Sequence, residues 1–179
     1  MVGVVLGLVI YTVQGATSFN PIVILNAYAQ VLVVSVAEVL VCWAVVGSLS
    51  QSLLQAQGQE KWVSIILAAI VPSVLFGVYP FAHSPPFNTI GLVAFLTVIG
   101  LLTSVFFFVS RDVYGTIAFH NFLGISGVIG ALDASGNLTS FERPVVPLLV
   151  MAVVTIAVLI MAHSRLLNQE SGRTPSRVR

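Results

Sequence analysis

Three residues in this chain combine reactive side chains with apolar surroundings: Glu38, His83 and His120. A carboxylate and an imidazole can share a proton or orient a water molecule, and with a further ligand they can hold a divalent metal. His120 interrupts the glycine-spaced run GTIAFHNFLGISGVIG, residues 115–130. A lipid-embedded helix would ordinarily carry only carbon there. A charged side chain in hydrocarbon costs about 2.5–3.5 kcal/mol on insertion scales, so such groups tend to mark function. Each residue also has an ordinary structural role open to it. Glu38 can hydrogen-bond a neighbouring helix, His120 can be a satisfied packing residue, and His83 can sit at an interface beside a turn.

The elements that must position these groups are membrane helices. The chain has 179 residues, 58% of them hydrophobic and 7% charged, and its mean hydropathy is +1.05. Soluble domains carry about 25% charged residues. These values predict an all-α, polytopic transmembrane helix bundle occupying residues 1–163, with membrane lipid as its surroundings. Residues 164–179, SRLLNQESGRTPSRVR, are expected to form a basic, disordered cytoplasmic tail. The single cysteine, Cys42, excludes an intrachain disulfide. The first residues lack the basic stretch of a secretory signal.

The hydropathy pattern predicts about six spans. The first, about 1–16, is short and carries Gly3 and Gly7 in a GxxxG pattern, which lets helices approach closely. Asn20-Pro21 reads as a cap and helix start before the second, about 21–47. The polar stretch 48–61 reads as an interfacial helix broken at Gly58. The third span, about 62–82, contains Pro72 and Pro80 and is expected to be kinked or broken. His83-Ser84-Pro85-Pro86 marks a turn. The remaining spans are about 88–109, 113–131 and 145–163. Asn26 and Gln30 are expected to hydrogen-bond between helices, and Trp43, Trp62 and Tyr114 to sit near one membrane boundary. An even number of spans puts both termini on one side. If that side is cytoplasmic, six of the seven Lys and Arg residues, all but Arg143, lie there, as the positive-inside rule requires. The expected location is the cell membrane.

In this layout Glu38 and His120 lie at one depth, each roughly 12–14 Å from the cytoplasmic end of its helix at 1.5 Å per residue. Two ionisable groups at one depth can pair. Thr116, His120 and Gly124 share a helix face, as do Ser35, Glu38 and Cys42. The glycines at 124, 127 and 130 would admit a close neighbour. No HExxH, CxxC, GxSxG or phosphate-cradling loop occurs, and nothing signals nucleic-acid binding. His83, His120 and Glu38 are the only candidate metal ligands, and a divalent metal would have to be assembled from separate helices.

Phe76-Gly-Val-Tyr-Pro-Phe-Ala-His83, the approach to His120, and Ala37-Glu38-Val-Leu-Val-Cys42 together resemble the CAAX-protease and bacteriocin-processing family of intramembrane proteases. That family carries Glu-Glu-x-x-x-Arg, then Phe-x-x-x-His, then His-x-x-x-Asn or Asp, and the similar region covers about residues 30–130. At motif positions this chain has Ala37 for the first glutamate, Cys42 for the arginine, Tyr79 for the phenylalanine and Gly124 for the final Asn or Asp. The resemblance implies an intramembrane endopeptidase acting on a membrane-associated peptide or protein. Glu38 would activate water, and His83 and His120 would assist as the other catalytic residues. The alternative it implies is an inactive homologue that binds a peptide or partner in the same place.

Overall fold

The computed structural model describes the backbone of residues 1–82 and 89–171 and the side chains of residues 1–79, 81 and 89–165. Its elements are helices α1 (Val2–Val13), α2 (Pro21–Ala56), α3 (Lys61–Val78), α4 (Ile90–Ser110), α5 (Val113–Ala134) and α6 (Val146–Ser171). Short 3-10 turns occupy Tyr79–Ala82 and Leu138–Phe141, and no strand occurs among the described residues. The all-α bundle is therefore as the composition requires. Five of the helices are long and apolar enough to cross a membrane, and the shorter apolar helix is α1. Its 12 residues span about 18 Å, well short of a hydrocarbon core of about 30 Å. The first of the expected six spans is therefore a partial one.

Helix α2 starts as its sequence dictates. The Asn20 side chain accepts from the Ile22 amide at 3.0 Å, and Pro21 follows at the first helical position, where its missing N–H costs nothing. The polar stretch expected to be helical is so over Ser48–Ala56, but it continues the preceding helix directly. The chain continues helically from Pro21 through the polar stretch to Ala56, and the break comes at Gly58, whose φ of 83° favours glycine. Within α2, residues Val39–Gly47 form a π-helical stretch that begins directly after Glu38. The polar extension is anchored by Gln51, which is buried and accepts from Arg111 Nη1 at 2.9 Å.

Helix α3 runs through Pro72 unbroken, and Pro80 falls in the 3-10 turn beyond it. A proline disturbs the carbonyls one turn before it. Here the Ala69 carbonyl accepts from the hydroxyls of Ser73 at 2.6 Å and Ser104 at 2.9 Å. Neighbouring hydroxyls thus serve backbone groups near the proline, the usual remedy in membrane helices.

Helix α5 is the central post and packs against α1, α2 and α4. Between membrane helices there is little hydrophobic driving force, so close packing and hydrogen bonds must hold the bundle. Glycine provides the close packing. A Cβ on Gly3 would collide with the Gly115 carbonyl, and one on Gly7 would lie 2.7 Å from Phe122. The GxxxG pattern therefore docks α1 on α5, with the two running parallel. A Cβ on Gly124 would lie 2.7 Å from Val31 of α2, whereas Gly127 and Gly130 have nothing within 4 Å. Of the three glycines expected to admit a neighbour, only Gly124 does so.

The start of α1 and the His163 region of α6 lie at the Arg111 end of the bundle. Gly3 meets Gly115 near the start of α5, and the His163 ring of α6 lies 5.5 Å from that of Tyr114. The opposite end, hereafter the Ser135 end, carries the 14–20 and 135–145 connections. Asn26 ties the second of these to α2: its amide donates to the Phe141 carbonyl at 2.9 Å and the Arg143 carbonyl at 2.7 Å, and its oxygen accepts from the Val145 amide at 3.0 Å. Gln30, expected to do likewise, is exposed and makes no hydrogen bond among the described residues. The outer surface is covered by large apolar side chains on every long helix, a surface suited to lipid. Helix α6 is the extreme case, with 6% of its most apolar window buried against 56% for α5.

Candidate functional site

Glu38 and His120 meet. His120 Nε2 lies 3.1 Å from Glu38 Oε2, as their shared depth predicts. His120 points into the bundle from α5 and is 4% exposed, while the Glu38 side chain on α2 is 21% exposed. On the other side of the imidazole, Nδ1 lies 2.9 Å from Thr103 Oγ1 of α4. Three helices thus contribute one side chain each to a linear array: carboxylate, imidazole, hydroxyl.

The proton count of this array is constrained. The Thr103 hydroxyl has one proton and two acceptors in reach, Nδ1 and the Ile99 carbonyl at 3.0 Å. If the proton goes to Nδ1, the neutral imidazole carries its own proton on Nε2 and donates it to Glu38. If it goes to Ile99, Nδ1–H donates to Thr103 instead, and Nε2 bonds Glu38 only through a proton held by one of the two. In either case a hydrogen bond between Nε2 and Oε2 requires one proton between them. Glu38 Oε1 makes no hydrogen bond among the described residues.

Aromatic rings hold the imidazole in place. Trp43 and Phe76 each lie 5.1 Å from it, centre to centre. Trp43 is itself fixed, being fully buried and donating from its indole N–H to Ser104 Oγ at 2.7 Å. Ser104 also lies 2.8 Å from Ser73 Oγ. Next to His120, Asn121 faces α2 instead, accepting from Ser35 Oγ at 3.0 Å and donating to the Tyr28 carbonyl at 3.1 Å. Asn121 therefore locks α5 to α2 on the face adjoining the Glu38 contact.

The pair lines a cavity of about 720 Å³ between α2, α4 and α5. Its walls are largely apolar, including Val31, Val34, Phe95, Leu96, Ile99 and Leu123. The lining residues of α4 come from its first half, so the cavity occupies the half of the bundle towards the Ser135 end.

The motif positions distribute unevenly. Ala37 is exposed on the outer face of α2, one residue round from the pair. Cys42 is buried in the apolar core with Val39 and Trp43, and Gly124 is packed on Val31. His83 lies outside the described residues. Tyr79, four residues before it, lines the cavity. Among the described residues no three His, Cys, Asp or Glu side chains come together as a metal site. Thr103 and Trp43 are partners of His120 that sequence reasoning missed. A threonine in an apolar helix and a tryptophan near a boundary carry no sign of which ring they will face. The chain matches no protein-family profile, no curated protein and no solved structure.

Proposed function

We propose that the chain is a CAAX-protease-like intramembrane hydrolase homologue whose reactive group is Glu38. The observation that supports this reading is the Glu38–His120 pair at 3.1 Å, set in the wall of an apolar cavity large enough for an extended chain. In this reading Glu38 Oε1 takes a proton from water, and the resulting hydroxide adds to a peptide carbonyl. The same proton then passes to the leaving amine as the C–N bond breaks. His120 holds Oε2 and orients the carboxylate, and Thr103 holds His120. His83 would complete the set. The peptide enters from the membrane, and the Arg111 end of the bundle faces the cytoplasm of the cell, with both termini and six of the seven basic residues.

A second reading is an inactive homologue that binds a membrane peptide or partner in the same cavity. It is favoured by Ala37 facing outward and by Cys42 and Gly124 adding no polar group to the cavity. The two separate in one experiment. Purified protein in nanodiscs is incubated with a panel of lipidated and apolar peptides and analysed by mass spectrometry. Cleavage by the wild type that is lost in Glu38→Gln, with folding retained, supports the hydrolase. Cleavage that survives Glu38→Gln removes Glu38 from the role of base. Peptide retention without cleavage supports the binding reading.

A further inference from the structure

Ser126 Oγ is the one buried side-chain polar atom without a hydrogen-bond partner among the described residues. It stands on α5 six residues beyond His120, about 9 Å further along the helix at 1.5 Å per residue. Ser126 lines two cavities at once. One is the large cavity that contains Glu38 and His120. The other, of about 260 Å³, is formed with Tyr11, Gly15, Ala16 and Thr17. The two cavities also share Gln14, Phe95 and Gly127. A Cβ on Gly127 would meet nothing within 4 Å, so the space beside Ser126 is open. Gln14, Gly15 and Thr17 are exposed, so the smaller cavity reaches the surface at the turn after α1.

Towards the Arg111 end the surroundings of the pair are the reverse. Trp43 stands against the His120 ring, and Phe107, Ile117 and Phe119 are buried in the same core, whereas Phe76 lines the cavity itself. Among the described residues the buried hydroxyls there are already engaged: Ser73 and Ser104 with Trp43, with one another and with the Ala69 carbonyl, and Thr116 with the Asp112 carbonyl at 2.7 Å.

We propose that the two cavities form one water-holding conduit, with Ser126 and Gln14 at its junction, and that it hydrates the Glu38–His120 pair from the Ser135 end alone. A buried hydroxyl demands a hydrogen-bond partner, and a water needs two or more polar neighbours in a space large enough to hold it. The junction meets both conditions: Ser126 and Gln14 supply the polar atoms, and the Gly127 side supplies the room. Beyond it, Gln30, Ser35 and Glu38 continue the polar lining to the pair. This inference holds whether the cavity hydrolyses a ligand or only binds one.

Thiol labelling tests it, because a thiol reacts through its thiolate, which forms only where water reaches. Ser126→Cys and Gly127→Cys are made separately in a Cys42→Ala background and reconstituted into sealed vesicles. Ser135→Cys and Gln55→Cys report the two membrane faces. The probes are a membrane-impermeant quaternary-ammonium methanethiosulfonate and an uncharged, lipid-soluble maleimide. The expected result is modification of both junction cysteines by the charged reagent from the Ser135 side, with none from the Gln55 side. Gly127→Cys keeps the test open should Ser126→Cys fold poorly. Modification from the Gln55 side overturns the proposed direction. Reaction with the lipid-soluble reagent alone, or with neither, overturns the conduit as an aqueous route from that face.

Discussion

The Glu38–His120 contact should make a measurable contribution to folding as a coupled pair, and its size can be bounded from the structure. The atoms are 3.1 Å apart, His120 is 4% exposed and Glu38 is 21% exposed. A hydrogen bond to a charged group contributes about 1.5–3 kcal/mol in proteins generally. Double-mutant cycles between membrane helices average only about 0.6 kcal/mol, because the unfolded chain in the bilayer also finds partners. Glu38 also faces a cavity, so its charge is partly screened, which argues against the upper figure. The expected coupling energy is therefore about 1–2 kcal/mol, inside the range of about 0.5–3 kcal/mol for residues in contact. The assay is a cycle of Glu38→Gln, His120→Phe and the double variant, with unfolding followed by SDS titration in mixed micelles. His120→Phe keeps a ring between Trp43 and Phe76, so lost packing is minimised. A coupling below about 0.3 kcal/mol, the additivity seen for independent sites, would refute the view that these two side chains act as one unit.

Three further outcomes follow from particular contacts. Asn26→Leu leaves two carbonyls and one amide of the 141–145 connection without their partner, and at about 0.6 kcal/mol per interhelical bond it should lower stability by about 2 kcal/mol in the same titration. Gly3→Leu drives a side chain into the Gly115 carbonyl, an overpacking that costs about 1–3 kcal/mol, and should speed hydrogen exchange of α1 amides while leaving α3 and α4 unchanged. Trp43→Phe removes the indole bond to Ser104 but keeps a ring near His120, and should cost about 0.5–1.5 kcal/mol in the SDS titration without releasing the Ser73–Ser104 contact.

The sequence by itself determined the solvent and, from it, the architecture. With so few charges and such long apolar runs, backbone groups must be satisfied within each segment, so helices follow. The Asn20-Pro21 start, the Gly58 break and the GxxxG of the first helix were legible because each acts through local backbone geometry or the lack of a Cβ. The shared depth of Glu38 and His120 was legible because helical rise is constant. Helix length was less so. Hydropathy assigns residues 1–16 to a span, but it does not reveal that only 12 of them are helical or that they dock on α5. Nor does it show α2 continuing through its polar stretch, which depends on Gln51 meeting Arg111 from another part of the chain.

Rotation about each helix axis was decided only by the tertiary structure. Helical spacing places Gly124, Gly127 and Gly130 along α5, but packing alone chose Gly124 for α2 and left Gly127 beside open space. The same rotation turns Asn121 towards Ser35 and Tyr28, His120 towards Glu38 and Thr103, and Ala37 outward. Each of these choices is a contact between segments distant in sequence, made where helices happen to cross. No local propensity encodes it, because in lipid every apolar face of a helix is equally content until a neighbouring helix packs against it.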